Sequence, residues 1–195
     1  MYWQVYLHKT VLSAENMLIQ ILNRAKYLYE NSKKIYLSPD LKRFFKNSFS
    51  FEDFIKDDSI LENFSRLDDY EIYACLKYWI KNEDFVLSNL SQKILDRDIL
   101  KIRIQKTKFN KKIISKYRLN MMKKENINLN ESKYFIFSDK VSNSLYSINE
   151  SNIKIIFKDG NIKDLSYSSD QFNLKVLAKT INKYFLCSPS EYIVE

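Results

Sequence analysis

The sequence predicts a mainly α protein: a helical N-terminal half and a small α+β C-terminal subdomain, the latter a short antiparallel sheet with a hairpin plus helices. Three observations predict it. Leu7, Val11, Ala14, Leu18, Ile21, Ala25 and Leu28 alternate in steps of four and three, the spacing of one apolar helix face. Short amphipathic segments follow, most of them opened by Ser or Asp, as far as residue 98. Near Ile99 the texture changes to alternating apolar and polar residues, which is strand periodicity. The division expected is therefore 1–98, helical, and 99–195, mixed.

The first stripe predicts one helix over 2–32, roughly 45 Å long at 1.5 Å per residue. Met17, Leu22 and Tyr29 broaden its buried face, so it reads as a core helix more than a bare coiled-coil seam. In LSPDLKRFF, Ser38 is a good N-cap, Pro39 suits the first helical position and Asp40 favours the positive helix end. FSFEDF starts another helix, with Ser50 as cap and Glu52 and Asp53 in the first turn. LDDYEIYACLKYWI is amphipathic, capped by Asp68 or Asp69, with Ile72, Leu76, Trp79 and Ile80 on one face. A further helix after Asn82 carries Phe85, Val86, Leu90 and Ile94.

In the second half LKIRIQ predicts a strand, NKKIISKYRLNMMKK a basic helix with Ile113, Ile114 and Met121 inward, and YFIF at 134–137 a short buried strand. IKIIFKDGNIKDL is the clearest local signal. Two alternating runs flank Asp159-Gly160, the pair that suits a type I′ hairpin turn. The single glycine of the chain thus falls where backbone geometry most needs one. Ser168 and Gln171 form a plausible capping box before a last helix over 170–186, with Phe172, Val176, Leu177, Ile181 and Phe185.

Composition bounds function mostly by exclusion. One histidine in 195 residues rules out a histidine-rich metal cluster within the chain. One glycine rules out a P-loop or a dinucleotide fingerprint. No stretch approaches the roughly 18 apolar residues of a membrane span, and the first residues do not read as a signal peptide. Two distant cysteines, Cys75 and Cys187, form no disulfide framework, so a cytoplasmic location is expected. The net charge of +8 points to an anionic partner. However, 26 Lys against 6 Arg, 4 Ala and 1 Gly is also what an A/T-biased genome would write, and that reading is favoured. Acidic pairs such as Asp57-Asp58 read as helix caps rather than metal ligands.

Two segments carry candidate binding residues. Lys106 to Lys124 interleaves lysines with Phe109 and Tyr117, and Lys111, Lys112, Lys116 and Arg118 are its candidate nucleic-acid contacts. The competing reading is a solvated helix face. At the N-terminus, helical spacing brings Tyr6 and Lys9 together. His8 falls beside the apolar stripe and reads as a half-buried rim histidine.

YWQVYLHKTVLSAENMLIQILNRAKYL resembles the long helix that follows the metal site in HD-domain phosphohydrolases, in particular the deoxynucleoside triphosphate triphosphohydrolases. LDDYEIYACLKYWIKNEDFVLSNLSQKILDR continues the resemblance. SSDQFNLKVLAKTINKYFLCSP is similar to the closing helix of a bacterial subgroup. By that resemblance Tyr6 lines the nucleotide pocket, and His8 and Lys9 form a pair that contacts a regulatory nucleotide. Leu7 stands where the vertebrate form has a polar residue.

The family's His…His-Asp…Asp set, which holds a divalent metal such as Mg or Mn, is not in this sequence, so no cofactor is expected within the chain. The resemblance implies a C-terminal regulatory and assembly portion of a nucleotide phosphohydrolase, inactive alone. Its partner would be the missing HD half or another copy of itself. Two rival expectations are a small basic nucleic-acid-binding module and a helical dimerisation domain using the 7–28 stripe. No membrane partner is expected.

Overall fold

The computed structural model describes residues 7–143, 154–164 and 181–193. The first helix, α1, is Lys9–Glu30. It starts later than the stripe predicts, and the reason is its cap. His8 has extended backbone (φ −61°, ψ 141°), and its Nδ1 accepts the N–H of Thr10 at 3.3 Å. The lone histidine therefore lies outside the helix and is exposed, as are Lys9 and Thr10. The half-buried rim position expected for it is corrected: a residue before the first turn does not follow helical rotation. Tyr6 and the residues before it lie outside the described residues.

The buried face of α1 is also rotated from the expected one. Leu12, Ser13, Met17, Ile21, Arg24, Ala25 and Leu28 are buried, while Val11 is 41% exposed and Ala14 and Leu18 are half-buried. Two polar residues on this face have specific partners. Ser13 Oγ donates to the Leu100 carbonyl at 2.6 Å, and Arg24 meets a carboxylate described below. Buried polar groups are stable when so paired, and hydropathy spacing alone passes over them. The helix ends with Ser32 in the left-handed region (φ 56°), Lys33 N–H on Leu28 O at 2.9 Å and Ser32 N–H on Tyr29 O at 3.0 Å. This is a Schellman ending without its usual glycine.

The short helices follow their capping signals. α2 (Pro39–Lys46) is capped by Ser38, α3 (Phe51–Lys56) by a Ser50–Asp53 capping box, and α5 (Asp69–Trp79) by Asp68. Asp57 ends α3 and caps α4 (Asp58–Arg66), a helix the sequence reading did not separate. α6 is Phe85–Leu95, capped by Asp84. α1 packs against α6, and α5 packs against α6. Met17, Ile21, Leu76, Trp79, Val86, Leu87 and Leu90 are the centre of this core. Trp79 keeps its indole N–H satisfied by the Tyr36 carbonyl at 2.7 Å, as a buried Trp requires.

β1 (Lys101–Gln105) alternates as predicted. α7 (Lys111–Glu125) is capped by Asn110 and buries Tyr117 and Met121; Ile113 is 40% exposed rather than inward. The strand expected at 134–137 is corrected. Asn128 and Glu131 form a capping box that opens α8 (Leu129–Phe135), which packs against α1 and α7. Phe135 and Ile136 are fully buried, but as a helix end, and β2 is Phe137–Asn143. A short apolar run does not distinguish the two states.

The C-terminal part of the expected 170–186 helix is also overturned: Ile181–Ser188 is a strand, β5. Residues 170–180, with Phe172, Val176 and Leu177, lie outside the described residues, as does the capping box expected at Ser168 and Gln171. The sheet order is β1-β5-β2. As its central strand, β5 buries Phe185, Leu186, Cys187 and Ser188 in succession, and a strand covered on both faces loses the alternation that would betray it. Burial pushes the Cys187 thiol up to about 12, with Ser13 pulling slightly the other way. Tyr192, in the 3-10 turn Ser190–Tyr192, is buried, and its hydroxyl donates to Glu125 Oε1.

β3 (Lys154–Ile156) and β4 (Ile162–Asp164) pair antiparallel, with Ile156 opposite Ile162. The hairpin is where the Asp-Gly pair placed it, but the turn differs. Gly160 N–H donates to Phe157 O at 2.9 Å and Phe157 N–H to Asn161 O at 2.8 Å, and only Gly160 (φ 82°) is left-handed. That is a three-residue loop, a type I turn closed by a glycine bulge. A type I′ turn would need positive φ at Asp159 as well.

The chain divides into two compact units. One comprises Met1–Arg103, Asn110–Phe137 and Leu186–Glu195; the other comprises Ile104–Phe109 and Ser138–Phe185. Among the described residues no helix is long and apolar enough to cross a membrane.

Candidate functional site

A cleft of about 630 Å³ with charged groups lies beside α1 and α8. Gln20, Arg24 and Tyr27 line it from α1, and Glu131, Lys133 and Tyr134 from α8. Arg24 is 7% exposed. Its Nε donates to Asp84 Oδ1 at 3.0 Å and its Nη2 to Asp84 Oδ2 at 2.5 Å, a two-pronged pair. Glu131 Oε1 lies 3.6 Å from Nη2. The guanidinium carbon sits 5.1 Å from the Tyr27 ring centre and 5.4 Å from that of Tyr134. Burial alone would lower the Arg24 pKa; the hydrogen bonds and charge of Asp84 outweigh it and hold the pKa above its usual value. Asp84 Oδ1 also accepts the Leu87 N–H at 2.9 Å as the cap of α6. One carboxylate thus fixes the register of α1 against the start of α6.

This geometry decides what the cleft can do. Two carboxylates already answer the Arg24 charge, so the site is a structural junction rather than an open anion hole. The sequence reading missed Arg24 and Asp84. The available signal was a lone arginine within the 17–21–24–28 spacing of an apolar face.

A second groove, about 440 Å³, runs along α7 and is lined by Lys111, Lys112, Ser115, Lys116, Asn120 and Lys123, with Leu119. Three of the four nucleic-acid candidates, Lys111, Lys112 and Lys116, come together here. Arg118 does not: its Nε and Nη2 both donate to the Ile136 carbonyl, at 2.9 and 2.7 Å. Burial lowers its pKa. Tyr117 is 2% exposed and accepts from Arg103 Nη2 at 2.9 Å, so it offers no surface ring. Lys123, part of the same basic segment but not one of the four candidates, completes the row.

His8 and Lys9 are exposed at the start of α1 and line neither of these grooves. The Thr10 N–H occupies Nδ1 of His8, so only Nε2 is left for another partner. Tyr6 lies outside the described residues. Among the described residues no three His, Cys, Asp or Glu side chains converge as a metal site.

No family model matches this sequence. It is similar to the uncharacterized protein YwfO of Bacillus subtilis, with 28% identity over 178 residues, covering 87% of this chain and 38% of that protein. It is also similar to the crystal structure of a phosphohydrolase from Bacteroides thetaiotaomicron, at 37% identity and a TM-score of 0.79, covering 96% of this chain and 47% of that one. The chain therefore spans less than half the length of either relative. Over almost all of its own length it has the fold of part of a phosphohydrolase.

Proposed function

We propose that this chain is the C-terminal regulatory and assembly portion of an HD-type nucleotide phosphohydrolase, one that resembles the deoxynucleoside triphosphate triphosphohydrolases. We propose further that it hydrolyses no nucleotide by itself. One observation carries the reading. The likeness to a phosphohydrolase extends over 96% of this chain but only 47% of that protein, and this chain has a single histidine. In this reading a His…His-Asp…Asp set is supplied by residues outside the chain. The described residues do not fit a divalent metal. His8 holds a backbone N–H through Nδ1, and no three His, Cys, Asp or Glu side chains gather near one point among the described residues. Mg or Mn belongs, in this reading, to the other portion of the enzyme, and no chemical step passes through these side chains.

His8 and Lys9, with Tyr6, are the residues we assign to a nucleotide. Their chemistry supports this. Lys9 is an exposed point charge in the first turn of a helix, where the helix field also favours anions. His8, next to it in sequence and also exposed, has its Nε2 left for a ligand.

The test has two arms. The purified chain, given Mn²⁺ and deoxynucleoside triphosphates, should release no triphosphate above a blank. A chimaera joining this chain to the portion of the Bacteroides phosphohydrolase that it does not match should regain turnover. In it, Lys9→Ala should raise the nucleotide concentration needed for activity about tenfold, the order of one charged hydrogen bond. Metal-dependent release by this chain alone, persisting through further purification, would refute the proposal.

A further inference from the structure

We infer that the groove along α7 binds nucleic acid through its phosphodiester backbone, without reading bases. The first ground is segregation of charge. Lys56 pairs with Glu52, Arg66 with Glu62 and Lys93 with Asp98. Most other lysines of the described residues also lack an ion pair, but the groove that gathers Lys111, Lys112, Lys116 and Lys123 is lined by no carboxylate at all. The single carboxylate of α7, Glu125, accepts from the Tyr192 hydroxyl at the far end of the helix. A genome that writes many lysines explains their number, but not the removal of their carboxylate neighbours from one groove.

The second ground is the start of the helix. α2, α3, α4, α5 and α8 carry Asp or Glu in the first turn, which suits the helix field. α1, α6 and α7 have no acid there, and of these α7 alone opens with two lysines, Lys111 and Lys112. That placement works against the helix and concentrates positive potential at one end of the groove. Local rules broken without a structural gain mark functional positions.

The shape selects the partner. Lys112 and Lys116 are one helical turn apart, and Lys112 to Lys123 spans about 16 Å at 1.5 Å per residue. A free triphosphate needs cations converging on one point; a row of cations suits a polymer whose charges repeat. The composition of the row sets the mode of recognition. Tyr117 is buried and Arg118 is occupied by Ile136, so no ring or guanidinium plane faces the groove to stack on a base. What remains is ammonium groups, with Ser115 and Asn120 between them, which position a backbone and carry no sequence information.

The experiment measures fluorescence anisotropy of a labelled single-stranded 30-mer DNA with the full chain, from low to moderate salt. Four phosphate contacts should give a slope of log K against log salt of about −3. Lys111→Glu with Lys112→Glu should weaken binding at least 30-fold, roughly the loss of two phosphate contacts plus repulsion. The thermal midpoint of the same variant should be unchanged or higher, because acids suit that helix start. Lys33→Glu with Lys34→Glu, two exposed lysines in the loop after α1, makes the same charge change and should leave binding within about threefold, since screened charges act locally.

Three results would each overturn the inference. They are no binding by the wild-type chain at low salt, an equal loss in the Lys33/Lys34 control, or displacement of the DNA by equimolar deoxynucleoside triphosphate. The last would make the groove a mononucleotide site.

Discussion

The helical body holds itself together in two different ways. In α1, α5 and α6 the contacts are buried faces: Met17, Ile21, Leu76, Trp79, Val86, Leu87 and Leu90 are all within 1% of full burial. One buried ion pair, Arg24–Asp84, is set among them. In α2, α3 and α4 only Leu41 and Ile60 are buried, while Phe51 is 80% exposed and Ile55 66%. What joins these three helices is a closed circuit of edge-on rings. Phe44 meets Phe49 at 5.4 Å and Phe64 at 5.8 Å, and Phe54 meets Phe64 at 5.9 Å and Phe49 at 6.3 Å. Arg43 adds a polar hub, bonding Asn63 and the Ser59 hydroxyl with Asp57 nearby. The contrast teaches that similar short, well-capped helices can belong to a cooperative core or to a locally stabilised annex. What separates them is whether a buried face exists to be covered.

The largest expected effect lies in the core. Arg24→Ala leaves the Asp84 carboxylate buried without its cation, which should cost about 3–5 kcal/mol in urea unfolding. Replacing both, Arg24→Met with Asp84→Ser, should recover most of that loss, since Ser keeps the α6 cap. A single-variant loss below about 1 kcal/mol would place Arg24 outside the cooperative core and remove the contrast.

In the annex the expected loss is smaller and local. Arg43→Ala should cost about 1 kcal/mol, the range of partly exposed hydrogen bonds and ion pairs. Hydrogen exchange should speed up over 39–66 while α1 and α6 keep their protection. If protection falls equally in α1, the annex is part of the same cooperative unit.

The smallest effect sharpens the picture of the core helices. α6 ends as α1 does: Arg97 is left-handed (φ 59°), with Asp98 N–H on Lys93 O at 2.9 Å. With one glycine in the chain, both endings use residues that resist this conformation. Arg97→Gly should therefore raise stability by about 1 kcal/mol, and Ser32→Gly by a similar or smaller amount. A fall in either unfolding midpoint would mean that these side chains contribute something their conformational strain conceals.

The helix starts were legible because a cap is a local contract between one side chain and N–H groups two or three residues on. Ser38, Ser50 and Asp68 needed nothing else. His8 performs the same task, but a histidine is not the usual residue for it, so the start of α1 was misplaced. The errors at 134–137 and 181–186 share another cause. Each contains or leads into a run of consecutive buried residues, Phe135–Ile136 and Phe185–Ser188, and such a run erases the periodicity that separates strand from helix. The α7 lysines were visible as a cluster. Which of them share a groove depended on Tyr117, Met121 and Arg118 turning inward, a matter of tertiary packing. Arg24 was hidden because its partner lies 60 positions away.

The return of the chain to the helical body sets a timetable for synthesis. β5 brings Leu186 and Cys187 back to that body, with Cys187 beside Ser13, and Tyr192 then anchors on Glu125. The chain leaves the body at Ser138, so almost fifty residues of the other unit are translated in between. At about 5–20 residues per second, a ribosome spends several seconds on that interval. During it α1 and α7 have emerged with the Cys187 and Tyr192 positions still unfilled. The nascent body is thus exposed for a defined window, and a pause in translation between residues 138 and 186 lengthens it. Chaperone demand for this protein should track the speed of that stretch of message rather than the stability of the finished fold.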